Sequence, residues 1–280
     1  MSGATALIYE VVWARMLTQI FGNTTHAIAT VLAAFMGGLA LGSYVLGRLA
    51  DTRPNPFLLY GLLEGGVGIY GLGIPTLFAL TQQAYNRLYG VAEASFAIFS
   101  LALFLLCFAV ILVPTALMGA TLPVLSRFSV TRFASLGRRI GDLYAVNTLG
   151  AVVGCALSGF FLIPELGLRG SVRLAAALNL SVAGLVVLTV LWRGGRQAAS
   201  EEGSAKASAG PARITAPSCL DVALLVAFGL SGAAAMVYEN AWTRALTLVI
   251  GMSTYSFTVM LTTFLVGLGV GSFLYARWWG

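Results

Sequence analysis

The sequence predicts an all-α integral membrane protein with about eight membrane-spanning helices, arranged as a tandem parallel repeat of six-helix units. Three observations support this fold class. Hydrophobic residues make up 59% of the chain and charged residues only 9%, whereas a soluble domain carries roughly 25% charged residues. The apolar residues are grouped in long runs. The first part of the chain also recurs near its end.

Seven apolar runs approach the roughly 20 residues that a helix needs to cross about 30 Å of hydrocarbon. They are Ala27–Leu46, Phe57–Leu80, Phe96–Val113, Ala145–Ile163, Leu174–Trp192, Val222–Val237 and Tyr255–Tyr275. Together with the half-polar segment at the start of the chain they give about eight spans. The runs show no alternation of apolar and polar residues, so they do not resemble the strands of a membrane barrel.

An internal repeat aligns residues 2–51 with residues 231–280, without a gap, at an offset of 229 positions. Of the aligned positions 19 are identical. Chance similarity between two apolar helices would match Leu and Ala, but here Glu, Trp and Arg align as well, so the repeat signal is strong. The identical pairs include Tyr9/Tyr238, Glu10/Glu239, Trp13/Trp242, Arg15/Arg244, Gly38/Gly267 and Gly42/Gly271.

The repeat predicts the domain organisation. The second copy begins six spans after the first, so both copies have the same orientation in the membrane, as in the parallel repeats of the major facilitator superfamily. Residues 1–192 are predicted to form the first six-helix repeat and residues 218–280 the first two helices of a second repeat. Residues 193–217 are small and polar, which is typical of a flexible cytoplasmic linker. We expect the chain to be a fragment, truncated at the start of the first repeat and within the second.

The basic residues predict the orientation. The net charge of +6 comes almost wholly from arginine. If the loop after the second span is cytoplasmic, 11 basic residues lie on that side and 5 on the other. The positive-inside rule then places the N-terminus in the cytoplasm. Because the charges are spread over the loops, we expect the lipid bilayer as a partner and no nucleic acid.

The segments "YEVVWAR" (9–15) and "YENAWTR" (238–244) carry ionisable residues inside apolar surroundings. Such residues cost roughly 2.5–3.5 kcal/mol each at membrane depth and therefore suggest a function. A structural interpretation places them near the outer interface, as a clasp between the two halves in which the tryptophans anchor and the arginines reach the headgroups. The alternative is that Glu10 and Glu239 contact a polyamine or another cation. The clasp residues would be Trp13, Arg15, Trp242 and Arg244.

Glu64 is the stronger candidate for ligand binding. It lies in "LLYGLLEGGVGIYG", eight residues into an apolar run and beside glycines. Glycines there allow close backbone approach or local unwinding around a cation. The alternative is a carboxylate that is hydrogen-bonded to a neighbouring helix. Asn147, in "YAVNTLG", is expected to bond between helices, with ligand binding as the alternative.

Catalytic and metal chemistry find no support in the sequence. No Ser/His/Asp, Cys/His or paired-carboxylate constellation is present, so we assign no catalytic residue. The three cysteines are far apart and read as small apolar residues. The single histidine, His26, has no second ligand near it, so we predict no metal site. The glycines of "GLGVG" (267–271) lie in an apolar span and follow no strand, which favours helix packing over nucleotide binding.

Several stretches together resemble a known family. They are "SGATALIYEVVWARML", "FMGGLALGSYVLGRLAD", "PTALMGATLPVLSR" and "GDLYAVNTLGAVVGCALSGFFLIPELGLRGS". They are similar to the membrane region of the fused spermidine-synthase-like proteins of bacteria, in which a facilitator-like region precedes a soluble aminopropyltransferase-like domain. The resemblance covers essentially the whole chain. It implies a multi-pass protein of the bacterial inner membrane.

The resemblance also implies a function for the parent protein. The chain would anchor a cytoplasmic aminopropyltransferase-like domain, which lies outside the sequence and would use decarboxylated S-adenosylmethionine and a diamine. The membrane region would bind this domain and could pass a polyamine substrate or product. A stand-alone facilitator-like transporter of a polyamine or other small cation is the alternative, and non-catalytic scaffolding is a third. Whether the parent is an enzyme stays open, and no cofactor is expected in this chain.

The loop "GRLADTR" (47–53) resembles the facilitator signature G-x-L-x-D through Gly47, Leu49 and Asp51. It departs from the signature afterwards, because Pro54 and Pro56 stand where glycine and further basic residues are usual. A working facilitator gate is therefore weakly supported.

Overall fold

The computed structural model describes residues 1–21, 24–52, 55–89, 96–129, 136–197, 219–251 and 253–278. Within these ranges the chain is helical, with no strand, and this confirms the all-α prediction. The helices are α1 (Ser2–Phe21), α2 (Thr24–Thr52), α3 (Pro56–Tyr89), α4 (Phe96–Ser129), α5 (Leu136–Leu157), α6 (Ile163–Gln197), α7 (Cys219–Ile250) and α8 (Ser253–Trp278), with a π-helical turn at Ser158–Leu162.

Five stretches of these helices are long and apolar enough to cross a membrane. They are His26–Arg48, Pro56–Ala84, Leu101–Arg127, Leu143–Trp192 and Thr254–Gly271. Many large apolar side chains on them point outward, as expected where lipid replaces water. Of the predicted linker, residues 193–197 form the end of α6 and residues 198–217 lie outside the described part of the chain.

α1 is the central helix of the core, and it runs parallel to α3. Its first turn, at Ser2, is hydrogen-bonded to Glu64 of α3. Seven residues further along both helices, Tyr9 lies against Gly71, where a Cβ would meet the tyrosine hydroxyl. A glycine is needed at position 71 because the ring of Tyr9 is fully buried between the two helices.

α1 also runs parallel to α5. Gly3 packs against the backbone of Asn147, and Gly154 packs against the backbone of Ala4. Small residues let the two backbones approach closely, which is how helices associate in lipid. This crossing places the next turns of α5 beside the middle of α1.

α2 and α4 form the tightest helix pair. Gly38 lies against Thr115, and Gly42 lies against the backbone of Ala116. The hydroxyl of Thr115 donates to the carbonyl of Ala34 across the interface, at 3.2 Å. The glycines of the first copy therefore pack helices, as the sequence predicts for the glycines of the second.

The chain reverses direction at Gly167, within the stretch that begins as α5 and ends as α6. This glycine has φ 68° and ψ 178°, a combination that side-chain-bearing residues avoid. α6 then packs antiparallel to α3, with Val186 against Gly61 and Leu180 against Gly68. The long apolar stretch Leu143–Trp192 therefore contains two oppositely directed helices.

The helix ends follow the sequence repeat. α1 ends at Phe21 and α2 begins at Thr24, and at the same offset of 229 positions α7 ends at Ile250 and α8 begins at Ser253. The turn in the second copy contains Gly251 with φ 77°. The two copies therefore share their helix boundaries at this turn, as well as residues.

Candidate functional site: two buried carboxylate sites beside α1

Glu64 of α3 forms the first site. Its side chain is 1% exposed, in a helix that faces α1, α4 and α6. The hydroxyls of Ser2 and Tyr60 both donate to its carboxylate, and the amino group of Met1 lies within electrostatic reach. Its Oε1 atom has no hydrogen-bond partner among the described residues. The carboxylate is therefore half satisfied by its neighbours and has acceptor capacity left for a ligand.

The glycines beside Glu64 pack helices and do not unwind one. α3 continues as a helix through this region. Gly65 faces Ala183 of α6, and Gly66 faces Leu117 of α4. The sequence suggested either close backbone approach or local unwinding for these glycines, and the structure shows close approach.

Asn147 lies at the crossing of α1 and α5. Its Oδ1 would be 2.8 Å from a Cβ on Gly3. Gly3 follows Ser2, which donates to Glu64. Asn147 thus lies between helices, close to the α1 residues that border the Glu64 site.

Glu10 and Glu239 form the second site. They are 1% and 2% exposed, and their carboxylates are close enough for direct electrostatic repulsion. Both oxygens of Glu239 and Oε1 of Glu10 have no hydrogen-bond partner among the described residues. Arg15 therefore donates no hydrogen bond to Glu239. The identical glutamates of the two copies instead lie within electrostatic reach of each other.

Both glutamates lie well inside their helices. α1 and α7 each continue for eleven residues beyond the glutamate, to Phe21 and Ile250. At 1.5 Å per residue this is roughly 16 Å of helix. The position of the glutamates near the outer interface stays a prediction.

Cys155 of α5 is the third member of the second site. Its thiol is fully buried and lies within electrostatic reach of both glutamates. The hydroxyl of Thr262 on α8 donates to its sulfur at 3.4 Å, and the thiol donates to the carbonyl of Thr258 at 3.8 Å. Four helices (α1, α5, α7 and α8) thus contribute polar atoms.

Sequence reasoning did not identify Cys155 and Thr262 as site residues. Cys155 read as a small apolar residue, and Thr262 corresponds to Ala33 in the first copy. Gly154 and Cys155 are neighbours on a face of α5 that packs against α1. This position could have identified Cys155 as a site residue only if the packing of α5 against α1 had been known.

Tyr9 and Trp13 line α1 between the two sites. Their rings stack with centroids 5.0 Å apart and an angle of 26°. Both are fully buried, and Tyr9 Oη and Trp13 Nε1 lack hydrogen-bond partners among the described residues. Tyr9 is within electrostatic reach of Glu64. Buried tyrosine and tryptophan usually satisfy these groups, so the region around α1 has unused donors as well as acceptors.

The second copy of this segment is in a different environment. Trp242 is 62% exposed, whereas its equivalent Trp13 is buried. Arg244 lines an open cleft of about 620 Å³ between α2 and α7, and Arg15 lies at the edge of a small gap between α1 and α8. Both arginines are exposed and make interactions of their own. The role of the predicted clasp residues stays a prediction.

The predicted loop signature is only partly described. Gly47 lies against Pro123 of α4, and it lines a cleft of about 570 Å³ together with Arg48 and Arg127. The guanidinium of Arg48 lies 4.0 Å from the ring centroid of Tyr44. Leu49 and Asp51 are in α2, but their side chains are outside the described part of the structure.

The chain is similar to curated enzymes of one kind. It is 25% identical over 191 residues to polyamine aminopropyltransferase 1 of Streptomyces coelicolor, which covers 68% of this chain and 32% of that protein. It is 26% identical over 196 residues to the polyamine aminopropyltransferase of Mycobacterium tuberculosis, with 67% and 34% coverage. The chain resembles polyamine aminopropyltransferases.

The region of similarity has two limits. The chain spans about a third of the length of the curated relatives that it matches. No protein-family model matches it, and no solved structure matches it. Because the described part of the chain is helical, the similarity must lie largely in helical segments.

Proposed function

We propose that this chain is the membrane region of a polyamine aminopropyltransferase-like protein, which anchors a cytoplasmic aminopropyltransferase-like domain and passes a polyamine substrate or product. The observation that carries this proposal is the location of the similarity. Relatives named for polyamine chemistry match 68% of a chain that is helical and apolar. This match supports a membrane-type helical bundle as the region shared with these relatives.

The proposed architecture is a six-helix repeat followed by the first two helices of a second, with about eight spans in the bacterial inner membrane. Support comes from the repeat-related helix ends and from exposed faces in the second copy. Gly267 and Gly271 have no neighbour within 4 Å among the described residues, whereas their equivalents Gly38 and Gly42 pack tightly against α4. In the whole protein we expect a helix equivalent to α4 on this face.

Glu64 is the proposed contact for a protonated amino group. A polyamine carries ammonium groups, and a buried carboxylate with one unpartnered oxygen is a suitable acceptor for such a charge-assisted hydrogen bond. Tyr60 and Ser2 fix the carboxylate through its hydrogen bonds. The proximity of Tyr9 supports the same role, because its aromatic face can stabilise a neighbouring cation.

The alternative proposal is a facilitator-like transporter of a polyamine or another small cation that works without an enzymatic domain. The unpartnered carboxylates at mid-helix favour it, since buried ionisable groups in membrane helices often mark ion or substrate pathways. Scaffolding alone would leave these carboxylates unexplained.

Uptake of labelled putrescine into vesicles that carry the full-length protein tests the role of Glu64. We expect Glu64→Gln to reduce uptake at least tenfold, because the neutral amide removes the charge that attracts the ammonium group. Glu165→Gln is the matched control, since Glu165 is exposed and far from Glu64 along the chain. Unchanged uptake in the Glu64→Gln variant would overturn the role of Glu64. No uptake by the parent protein would exclude polyamine passage and leave anchoring as the function.

A further inference from the structure

A basic cleft lies at one end of the α2–α4 pair, and the buried glutamates do not line it. The two helices run in the same direction, because the contacts of Gly38 and Gly47 with α4 follow one another along both helices. The apolar stretches of both helices end at an arginine, as His26–Arg48 and Leu101–Arg127. The two arginines therefore lie at the same end of the bundle, where we expect hydrocarbon to give way to lipid headgroups.

The cleft between these helix ends has a volume of about 570 Å³, within the roughly 300–1,000 Å³ of ligand sites. Ser43, Gly47 and Arg48 lie on one face of α2 and form one wall, and Pro123 and Arg127 of α4 form the other. A Cβ on Gly47 would lie 3.3 Å from the Cβ of Pro123. Glycine at this position therefore keeps the space between the two walls open.

Two arginines give the cleft its positive charge. The guanidinium of Arg48 lies over the ring of Tyr44, 4.0 Å from the ring centroid, and this contact holds the cation in place. A guanidinium over a ring still presents N–H groups at its edge. Arg127 is exposed on the opposite wall and also interacts within the protein. Among the described residues that line the cleft none carries a carboxylate, so the cleft attracts an anion.

The polar groups of the cleft suit a phosphate. A guanidinium donates two parallel hydrogen bonds to phosphate oxygens, and Arg48 and Arg127 approach the cleft from opposite walls. The exposed hydroxyl of Ser43 lies on the same face as Arg48 and is a further donor. The donors thus come from three side chains on two helices that are packed tightly together.

We propose that this cleft binds the phosphate group of an anionic phospholipid, with Arg48, Arg127 and Ser43 as its donors. The proposal rests on the membrane location that is part of the proposed function. It does not depend on polyamine passage, so the Glu64 variant does not affect its test.

The surface beside the cleft favours a lipid over a free phosphate ion. Leu41 and Val45 are 47% and 51% exposed, and on α2 they neighbour Tyr44 and Arg48 at helical spacing. They precede Arg48, so they lie towards the middle of the apolar stretch. The acyl chains of a lipid would cover this surface, whereas a phosphate ion would not. Basic pockets between membrane helices bind anionic headgroups in this way.

Thermal unfolding of the purified 280-residue chain in dodecyl maltoside micelles tests the proposal. Dioleoylphosphatidylglycerol is added in increasing amounts, and dioleoylphosphatidylcholine, which has the same chains and no net charge, serves for comparison. The double variant Arg48→Gln/Arg127→Gln removes the charges, and Arg48→Gln alone replaces it should the double variant not fold. Ser43→Phe fills the cleft and keeps both arginines. Arg173→Gln is the matched control, because Arg173 is exposed and does not line the cleft.

We expect phosphatidylglycerol, and not phosphatidylcholine, to raise the Tm of the parent and of the control. The lipid concentration that gives half of this rise should increase roughly tenfold or more in the arginine variant and in Ser43→Phe. Inorganic phosphate at the same concentrations should leave Tm unchanged. If phosphate raises Tm as effectively as the lipid, the cleft takes a free anion and the assignment to a lipid is overturned.

Three other results would also overturn the proposal. An equal effect of the two lipids would exclude an anionic lipid and favour an acidic protein surface in the cleft. An equal response of the parent and the arginine variant would place the lipid elsewhere on the protein. A weaker response in the arginine variant alone, with Ser43→Phe like the parent, would indicate general charge attraction without use of the cleft.

Discussion

Tyr60 and Tyr70 use their hydroxyls in different ways, although both lie on α3 and both are half-buried. Tyr60 donates to the buried carboxylate of Glu64. Tyr70 donates to the backbone carbonyl of Val110 on α4, at 3.2 Å. A hydrogen bond to a carboxylate contributes more than one to a neutral carbonyl, about 1.5–3 against 0.5–1.5 kcal/mol.

At the scale of residues, we therefore predict that Tyr60→Phe destabilises the protein by about 1.5–3 kcal/mol, because it leaves Glu64 with one donor fewer. Tyr70→Phe is the matched control and should cost only about 0.6 kcal/mol, as neutral hydrogen bonds between membrane helices do. Unfolding by SDS in mixed micelles measures both values. Equal losses in the two variants would show that the bond to Glu64 does not stabilise the fold.

At the scale of elements, the repeat provides a matched pair of glycines. A Cβ on Gly42 would clash with the backbone of Ala116, whereas a Cβ on Gly271 would meet no atom within 4 Å among the described residues. In this chain, Gly42→Ala should cost about 1–3 kcal/mol through overpacking of the α2–α4 interface. Gly271→Ala should be neutral or stabilise α8 by roughly 0.5 kcal/mol, because alanine has the higher helix propensity.

The same unfolding assay compares the two glycine variants. A loss of stability in Gly271→Ala similar to that in Gly42→Ala would mean that α8 already has a close partner. In the full-length protein we expect the two variants to behave alike, since the proposed second repeat would place a helix against Gly271.

At the scale of the whole molecule, the alternating helix directions and the basic loops lead to a topology prediction. Alkaline phosphatase inserted within residues 90–95, a predicted outer loop, should be active in a bacterial host, because the enzyme folds only outside the cytoplasm. Insertion within residues 198–205 of the predicted linker should give an inactive enzyme. Green fluorescent protein at the same two positions should show the reverse pattern. Active phosphatase at the linker would invert the proposed orientation.

Much of the fold was predictable because it follows from local sequence. The apolar runs correspond to helices, and the repeat-related segments end α7 and begin α8 at the positions equivalent to the end of α1 and the start of α2. The turn at Gly167 lies between the predicted runs Ala145–Ile163 and Leu174–Trp192, so a break there was expected. The residue at which the chain turns was not predicted, and its φ of 68° identifies it.

The sites were less predictable than the helices. Glu10, Glu64 and Glu239 stood out as charges in apolar runs, and all three are buried. Their partners depend on which helix faces rotate inward, which a nearly uniformly apolar helix does not encode. The sequence therefore did not predict that Glu10 and Glu239 lie within electrostatic reach of each other and of Cys155.

The adjacency of Tyr9 and Glu10 has a thermodynamic consequence. A tilt or rotation of α1 moves both side chains at once, so a ligand that binds beside Glu64 and holds Tyr9 in place would also fix the position of Glu10. Such coupling is reciprocal: a change that stabilises one position of Glu10 alters affinity for a ligand beside Glu64, and the ligand alters the stability of that position by the same factor.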